Sequence, residues 1–402
     1  MEDRKYTLEL LTSKYYFLPS IIYRLVAMLD KLFSLFSHDI GIDLGTANSL
    51  VWVKGKGIVI REPSVVAMHK KTKKVIAIGT EAKKMVGKTP ASIITVRPLR
   101  GGVISDFDAT TAMISYYIQR VHEFGNVLPV AWSRPKVVIA IPSSVTEVER
   151  RAVWEAALSA GAREAFLIEE PMAAAIGENV SVFQSKGVMV VDIGGGTTEI
   201  AIISLGGIVV SKTLKIAGDD MDSAIIHYVR LRHGLVLGER TAEDLKIAIG
   251  SAFENQKSKI KNQKSIPVNA EDLEVKEEKA SPRNRMAVVR GRDIETGLPK
   301  SLRLTEVEVR EALAPIFSEI IEAIADTLQE APPELTSDIL EHGILLTGGG
   351  ALLAGIDHLI VERTRIPVII ANDPLTSVIR GIGKVLENDS LLQRVKVVGG
   401  LK

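Results

Sequence analysis

Two glycine-rich turns, one near residue 45 and one near residue 195, constrain the fold of this chain more than any other feature. In each, a β-branched run ends in an aspartate, a glycine turn follows, and a second apolar run begins, over residues 40–48 and 190–198. A further turn that contains glycine comes next in both places, at 54–57 and at 205–207. One such turn is typical of an ordinary β-hairpin. Two in the same format predict a duplicated lobe with the phosphates of a nucleotide clamped between the copies.

The residue types in the two turns suit a polyphosphate. Glycine lets backbone N–H groups approach phosphate oxygens and adopt the positive φ of an anion-binding concavity. The hydroxyls of Thr46 and Thr197 can donate hydrogen bonds beside those amides. Asp43 and Asp192, at the predicted strand ends, can hold Mg²⁺ through its water molecules, because Mg²⁺ keeps much of its hydration shell. The predicted phosphate-binding residues are Thr46, Ala47, Asn48, Gly195, Gly196 and Thr197.

A third glycine cluster, at residues 348–350, follows a predicted buried strand and precedes a helix expected to begin near Ala351. Amides at a helix N-terminus would face an anion or a nucleotide. The chain has no Walker A motif, since residues 381–385 lack both its leading spacing and its hydroxyl residue. This pattern excludes a P-loop enzyme.

The three clusters, in this order, resemble those of the actin and DnaK-type chaperone superfamily, and the chain is most similar to the MreB family of bacterial actins. The similarity runs from about residue 39 to 389 through the stretches 43–48, 55–59, 62–65, 97–99, 168–177, 192–199, 217–219, 290–293, 296–299 and 347–353. It implies an α/β, actin-like fold of two duplicated ribonuclease-H-like lobes, with ATP and Mg²⁺ in the cleft between them. A chain of 402 residues is also long enough for two cores.

The expected organisation is an N-terminal extension at 1–38, lobe I at 39–182, lobe II at 183–365, and a segment at 366–402 that returns to lobe I. Residues 253–286 carry a basic half and an acidic half with few large apolar residues, which predicts a mobile surface loop. A lateral or partner contact is the alternative. This stretch is longer than in the MreB proteins that the chain otherwise resembles.

The resemblance also assigns the chemistry of hydrolysis, which needs a positioned water and neutralised phosphate charge. Glu170 corresponds to the superfamily's water-orienting residue, with Thr197 near the same water. Glu169 would point to the opposite side if the strand at 166–168 continues, and we interpret it as a surface or ion-paired carboxylate. Spacing alone would make Glu243 and Lys246 an exposed ion pair. The resemblance instead assigns contacts with the nucleoside and α-phosphate to Glu243, Lys246, Gly349, Gly350, Ala351 and Leu352.

Residues 17–36 predict an amphipathic helix. Arg24 and the Asp30-Lys31 pair interrupt it too soon for a membrane-spanning helix, and the charge-balanced start without a small-x-small cleavage site argues against a signal peptide. The helix can lie in a membrane interface, pack on the body, or dock a partner's transmembrane or juxtamembrane segment. Because some MreB-like proteins carry such an anchor, we favour membrane contact through Ile22, Leu25, Leu29, Phe33 and Phe36.

A second candidate membrane contact is the apolar loop at residues 127–132, through Leu128 and Trp132. The alternative is a loop folded back on the core. A strand at 135–141, a helix at 147–160 capped by Ser143 or Ser144, and a strand at 165–168 should follow it, in the rhythm of an α/β lobe.

One departure from the family pattern is Gly101, which stands where MreB proteins usually carry aspartate before Gly-Val-Ile. We expect this change to alter a surface turn and to leave the ATP site intact.

Composition limits the partners. A net charge of +1 without a dense basic stripe argues against nucleic acid, and the lack of cysteine excludes disulfides and suits a reducing cytoplasm. The predicted protein is an ATP-dependent actin-like filament on the inner face of the cytoplasmic membrane. It would bind itself and cell-wall elongation proteins, scaffold wall synthesis and determine rod shape. The alternatives are a chaperone ATPase, for which we expect no peptide-binding domain, and a small-molecule kinase, for which no acceptor-binding motif appears.

Overall fold

The structure, a computed structural model, describes residues 37–123, 134–253, 274–275 and 285–397. We use lobe I for the part built on the first large sheet. Its strands are β1 (Ile40–Leu44), β2 (Asn48–Val53), β3 (Gly57–Pro63), β4 (Val66–His69), β5 (Val75–Ile78), β6 (Ile93–Val96), β7 (Leu99–Arg100), β8 (Val103–Ile104), β9 (Lys136–Ile141) and β10 (Glu164–Glu169). Its helices are α1 (Thr80–Met85), α2 (Phe107–Glu123), α3 (Glu147–Ser159) and α4 (Glu170–Gly177).

Lobe II is built on the second large sheet. Its strands are β11 (Val188–Ile193), β12 (Thr198–Ser204), β13 (Gly207–Leu214), β14 (Leu235–Val236), β15 (Glu274–Val275), β16 (Met286–Asp293), β17 (Pro299–Thr305), β18 (Ile344–Thr347) and β19 (Val368–Ile370). Its helices are α5 (Gly218–His233), α6 (Glu239–Ile249), α7 (Glu306–Glu330), α8 (Pro333–His342), a 3₁₀ turn (Gly349–Leu352) and α9 (Ile356–Thr364). Two further helices, α10 (Ser377–Glu387) and α11 (Asp389–Val395), complete the described chain.

The two large sheets have the same plan. Lobe I has the order β10-β9-β1-β2-β3, and lobe II has the corresponding order β19-β18-β11-β12-β13. In both, the first three strands are antiparallel and the remaining strands are parallel. The predicted hairpins are therefore the start of a duplication that extends through a whole sheet.

Helices α4 and α10 cross where the two lobes meet. A Cβ atom at Gly381 would overlap the backbone oxygen of Ala173, and one at Gly177 would overlap that of Ser377. Only glycine allows the two backbones to come this close. Helix α10 also packs on β1 of lobe I. Strand β19, within the segment predicted at 366–402, still belongs to the sheet of lobe II, so the predicted boundary at residue 366 is wrong.

Two local predictions need correction. Helix α3 is capped by Thr146 in a capping box with Glu149, and not by Ser143 or Ser144. A capping box needs its Ser or Thr three residues before a Glu, a spacing that residues 146–149 meet. The predicted loop at 253–286 is wrong at residues 274–275, which pair with β16. Among the described residues, no helix is long and apolar enough to span a membrane.

Candidate functional site

A cavity of about 460 Å³ lies between the lobes, within the size range of small-molecule sites. Both glycine turns and the third glycine cluster contribute to its wall. The sequence-predicted residues that line it are Asp43, Thr46, Ala47, Asn48, Glu170, Asp192, Gly195, Gly196, Thr197, Glu243, Lys246, Gly349 and Leu352.

The two turns, one from each lobe, contact each other and both line this cavity. A Cβ atom at Gly195 would lie 2.5 Å from Cβ of Ala47, and one at Gly196 would lie 2.6 Å from Oγ1 of Thr46. Gly102 bridges them, since its N–H donates to Thr46 Oγ1 over 3.4 Å and its backbone lies against Thr197. The lack of side chains at these glycines lets two backbone concavities approach one ligand from opposite sides.

Hydroxyl groups hold the turn of lobe I from behind. Ser64 Oγ donates to the carbonyl of Gly45 over 2.5 Å, and the Ser64 N–H donates to the carbonyl of Ala47 over 3.0 Å. The buried Ser49 hydroxyl lies 2.8 Å from Ser64 Oγ. The carbonyls of Gly45 and Ala47 are thus both occupied by Ser64, which fixes the backbone of the turn.

Backbone groups hold the turn of lobe II. The N–H of Gly218 donates to the carbonyl of Gly194 over 3.2 Å, and the N–H of Asp219 donates to that of Gly195 over 2.7 Å. Both donors belong to the first turn of α5, where amides have no acceptor within the helix and carry the positive end of the helix dipole. The start of this helix therefore fixes the second turn.

Four carboxyl groups gather behind the turns. Burial raises the pKa of Asp43 to about 7. Burial, together with the charges of Asp43 and Glu199, raises the pKa of Asp192 to about 8. The pKa of Glu170 is raised first by burial and then by the charges of Glu199, Asp43 and Asp192. Like charges this close, out of water, stabilise a cation placed among them.

These carboxylates fit a divalent cation better as outer-shell ligands than as a closed cage. Among the described residues, no group of three or more His, Cys, Asp or Glu side chains is arranged to hold a metal directly. Mg²⁺ usually keeps several waters and takes only one or two carboxylates. The charge of Asp43 and Asp192, with raised pKa values, is the feature that such an ion would neutralise.

Glu243 and Lys246 lie in α6 and both line the cavity, but they do not pair with each other. Glu243 pairs with Lys83 of lobe I at 2.9 Å. Lys246 Nζ lies 2.8 Å from Asp222 and donates to the carbonyl of Gly218 over 2.7 Å. The exposed local ion pair that spacing alone suggests is therefore absent.

Comparison with known proteins identifies the family. A sequence model of the MreB/Mbl protein family matches residues 37–272 and 262–394. The cell shape-determining protein MreB of Escherichia coli is 47% identical over 364 residues, which cover 90% of this chain and 96% of that protein. The chain belongs to the MreB/Mbl family. The cell shape-determining protein Mbl of Bacillus subtilis is 43% identical over 363 residues, which cover 90% of this chain and all of that protein.

Solved structures of related proteins show the same fold. MreB5 of Spiroplasma citri bound to AMPPNP has 36% identity and a TM-score of 0.77, with 89% of this chain and 98% of that chain covered. The ADP-bound form gives a TM-score of 0.76 over the same shares. A MamK double helical filament, at 21% identity and a TM-score of 0.67, covers 88% of this chain and 99% of its own and shares the fold. The expected two-lobe actin-like fold is thus confirmed for this MreB/Mbl chain.

Two residues predicted from the family resemblance do not line the cavity. Gly350 packs against the side chain of Ile193, and Ala351 is buried. The reason is local: the helical turn begins at Gly349, earlier than the expected Ala351, and it is a 3₁₀ turn. A tighter turn moves successive side chains to different faces than an α-helix would.

Glu169, predicted to be a surface or ion-paired carboxylate on the side away from Glu170, meets that prediction only in part. It is half-buried, and its pKa is raised mainly by burial, with the nearby Arg150 opposing the shift. It does not line the cavity. The seven predicted membrane-contact residues lie outside the described residues: Ile22, Leu25, Leu29, Phe33, Phe36, Leu128 and Trp132.

The sequence did not predict eleven further residues that line the cavity, several of them apolar. These residues come from β2, from helices and from the segments that connect the elements, and most of them lie in no recognisable motif. Gly218 and Leu353 belong to stretches quoted for the family resemblance, and Gly102 follows the divergent Gly101. The additional lining residues are Leu50, Gly102, Gly218, Ile247, Gly250, Arg285, Leu353, Ala354, Pro374, Leu375 and Val378.

Proposed function

We propose that this chain binds and hydrolyses ATP and that the nucleotide controls its assembly into actin-like filaments that determine rod shape. The observation that carries the proposal is the pair of glycine turns that face each other over buried carboxylates. A triphosphate would take its hydrogen bonds from both lobes, so binding would favour their closure. The Spiroplasma relatives bound to ADP and AMPPNP support the same ligand class.

Hydrolysis would use Glu170 and Thr197. Glu170 is the first residue of α4 and lines the cavity, so its carboxylate can orient a water for in-line attack. The Thr197 hydroxyl, in the second turn, can hold the same water from the other lobe. Asp43 and Asp192 would bind the waters of Mg²⁺, which supplies charge neutralisation on the phosphates when bound.

The nucleoside would lie beside α6. Glu243 can accept hydrogen bonds from hydroxyl groups of a ribose, and Lys246 lies one turn further along the same helix face. Leu352 and Ile247 are among the more exposed apolar residues of the chain, at 41% and 60%, although both line the cavity. Apolar side chains that remain exposed in an open cavity suit the face of a purine.

The described residues that flank the two candidate membrane segments contact each other. The Arg134 N–H donates to Ser37 Oγ over 2.8 Å, and the Lys136 N–H donates to Asp39 Oδ1 over 3.1 Å. Residues 1–36 and 124–133 therefore join the described fold at one corner of lobe I. This position supports a filament that contacts the inner face of the cytoplasmic membrane through both segments. Its partners there would be cell-wall elongation proteins.

The first test is hydrolysis by a Glu170→Gln variant, with Glu169→Gln as the matched control. We expect the first change to lower the ATP turnover rate by about 100-fold, since it removes the residue that orients water. Binding of a fluorescent ATP analogue should persist. The control lies outside the cavity and should hydrolyse ATP like the wild type. Equal loss in both variants would contradict the assignment.

The second test is co-sedimentation with ATP or ADP, with and without anionic liposomes. The wild type should pellet with ATP and pellet more with lipid. A chain without residues 1–36, and a Leu128→Ser/Trp132→Ser double variant, should keep ATP-dependent pelleting and lose the gain from lipid. Nucleotide hydrolysis without pelleting under any condition would contradict the filament proposal. An unchanged lipid gain in both variants would contradict the membrane proposal.

A further inference from the structure

A cluster of five charged side chains joins the lobes beside the cavity. Lys83 of α1 pairs with Glu243 of α6 at 2.9 Å. Arg97, just after β6, pairs with Asp219 of α5 at 2.7 Å and lies 3.7 Å from Glu239 of α6. Two cations of lobe I thus face three carboxylates of lobe II.

Both cations are held in place within their own lobe. Helix α1 begins where Glu62 accepts hydrogen bonds from the N–H and hydroxyl of Thr80, at 2.7 and 2.6 Å. This contact fixes the short helix that carries Lys83. The Ser105 hydroxyl donates to the carbonyl of Arg97 over 2.7 Å, which fixes the backbone there. Because the backbone near each cation is fixed, the two cross-lobe ion pairs can form only when the lobes are close together.

The cluster is also connected to the site. Asp219 donates its backbone N–H to the carbonyl of Gly195 in the second phosphate turn, while its carboxylate pairs with Arg97 in the other lobe. Glu243 lines the cavity and is paired with Lys83. A movement of either lobe that breaks these pairs would also disturb the turn and the nucleoside end.

The charges are arranged to attract. Burial acts to lower the pKa of Arg97, but the hydrogen bond and charge of Asp219 and the charges of Glu239 and Glu243 more than offset this, so its pKa is raised. The side chains of the two close pairs are 28% to 37% exposed. Attraction between groups of this exposure is weakened by salt.

We propose that Lys83, Arg97, Asp219, Glu239 and Glu243 form an electrostatic clasp that keeps the lobes closed over bound nucleotide and limits the rate of its release. This role rests on the proposed nucleotide site. Lys83 and Arg97 act as positioning residues, because neither lines the cavity.

The experiment measures release of a fluorescent ADP by stopped flow from Lys83→Gln, Arg97→Gln and the double variant. The control is Lys84→Gln, since Lys84 is the next residue of α1 and pairs only locally, with Glu81 at 2.7 Å. We expect release to be about 3-fold faster in each single variant and about 10-fold faster in the double, and unchanged in the control. Lys83→Arg and Arg97→Lys should release ADP close to the wild-type rate.

Salt separates a clasp from a merely structural role. Between low and high NaCl, release from the wild type should accelerate more than release from the double variant, because the variant has no cross-lobe pairs left to screen. Release within 2-fold of wild type in the double variant, or the same salt slope in both proteins, would overturn the proposal.

A second readout needs no nucleotide. The chain has no cysteine, so a variant with both Lys71→Cys and Glu295→Cys carries one spin label on an exposed position of each lobe. The distance between the two labels then measures the separation of the lobes. The distance distribution should broaden to longer values when Lys83→Gln and Arg97→Gln are added. A wild type that binds no ADP would contradict the proposed function, whereas an unchanged distribution would contradict the clasp.

Discussion

The phosphate turn of lobe I and that of lobe II occupy equivalent places in two sheets of the same strand order, yet they are supported differently. Hydroxyl side chains support the first, through Ser64 and Ser49. Backbone amides at the start of α5 support the second. The second strand of the hairpin is buried throughout in lobe II and partly exposed in lobe I. The two lobes thus share the same turn, but side-chain hydroxyls support it in lobe I and backbone amides support it in lobe II.

The carboxylates behind the turns differ in the same direction. Asp192 is 6% exposed, with its pKa raised to about 8, whereas Asp43 is half-buried, with its pKa raised to about 7. Glu199 adds to the charge in lobe II. One of its oxygens accepts hydrogen bonds from the Ser143 hydroxyl at 2.7 Å and the Thr213 hydroxyl at 3.0 Å, and the other is buried with no partner in the described chain. Burying ionised carboxylates therefore destabilises lobe II more than lobe I.

The largest expected effect is that of Asp192→Asn. ATP turnover should fall by about 100-fold or more, since a preorganised charge is lost. A buried carboxyl with a raised pKa destabilises the fold when it is ionised. The free energy of unfolding of the wild type should therefore fall progressively as the pH rises from the ordinary pKa of 3.8 towards about 8. Without nucleotide and Mg²⁺, the variant should therefore be about 1–3 kcal/mol more stable than wild type at pH 8 and nearly equal to it only below about pH 4.

Thermal unfolding in EDTA across this pH range shows whether the variant gains stability as the pH rises. Asp43→Asn is the matched variant in lobe I. Because Asp43 is less buried and its pKa is lower, it should give the smaller gain, with the gain complete at lower pH. Equal gains in the two variants would show that the carboxylates are electrostatically equivalent.

The next effect in size concerns the contact between the turns. Gly196→Ala places a methyl group 2.6 Å from Thr46 of the other lobe, whereas Gly45→Ala places one 2.6 Å from the carbonyl of Asn48 in its own turn. The first change should weaken ATP binding by about 10- to 100-fold, because overpacking holds the lobes apart. The second should mainly lower the unfolding temperature.

Equilibrium titration and thermal unfolding of both variants separate these outcomes. Gly238→Ala is the control, because its methyl group meets nothing within 4 Å and its φ of −81° suits alanine. An equal drop in unfolding temperature for Gly196→Ala and Gly45→Ala would contradict the distinction between the turns.

A smaller effect tests the hydroxyl support. Ser64→Ala removes the hydrogen bonds to Gly45 and Ser49 in a buried place and should cost about 1–3 kcal/mol of unfolding free energy. In lobe II, the Thr198 hydroxyl donates to the carbonyl of Ile216 just before α5, over 2.7 Å. Thr198→Val keeps the shape, loses this one bond and should cost about 1 kcal/mol. Urea unfolding that ranks the two in the opposite order would contradict the comparison.

The same contrast explains what could be read from the sequence. The turns have a local signature, an aspartate at a strand end followed by glycines, and this signature places Thr46, Gly195 and the duplicated hairpins correctly. The supports are not local. Ser64 lies 19 residues from Gly45 in sequence, and Asp219 reaches the second turn only after β12 and β13 have intervened.

The nucleoside end shows the limit more sharply. Glu243 and Lys246 have no motif, and only family resemblance pointed to them. Their actual partners, Lys83 and Asp222, follow from how α6 is placed against α1 and α5. Gly350, in the 3₁₀ turn that begins at Gly349, packs against Ile193 of β11, and periodicity cannot reveal such a contact.

The smallest expected effect is that of Tyr117→Phe, and it asks how far the hydroxyl support of lobe I extends. The ring is fully buried, and its hydroxyl has no hydrogen-bond partner in the described chain although Ser49 is close. Burial raises the pKa of this hydroxyl, so it stays neutral. Removing an unsatisfied hydroxyl should change the unfolding free energy by less than about 0.5 kcal/mol and leave ATP affinity unchanged. A loss above about 1 kcal/mol, together with weaker ATP binding, would make Tyr117 a third member of the chain from Ser49 through Ser64 to the turn. The support of lobe I would then reach from the phosphate site into helix α2.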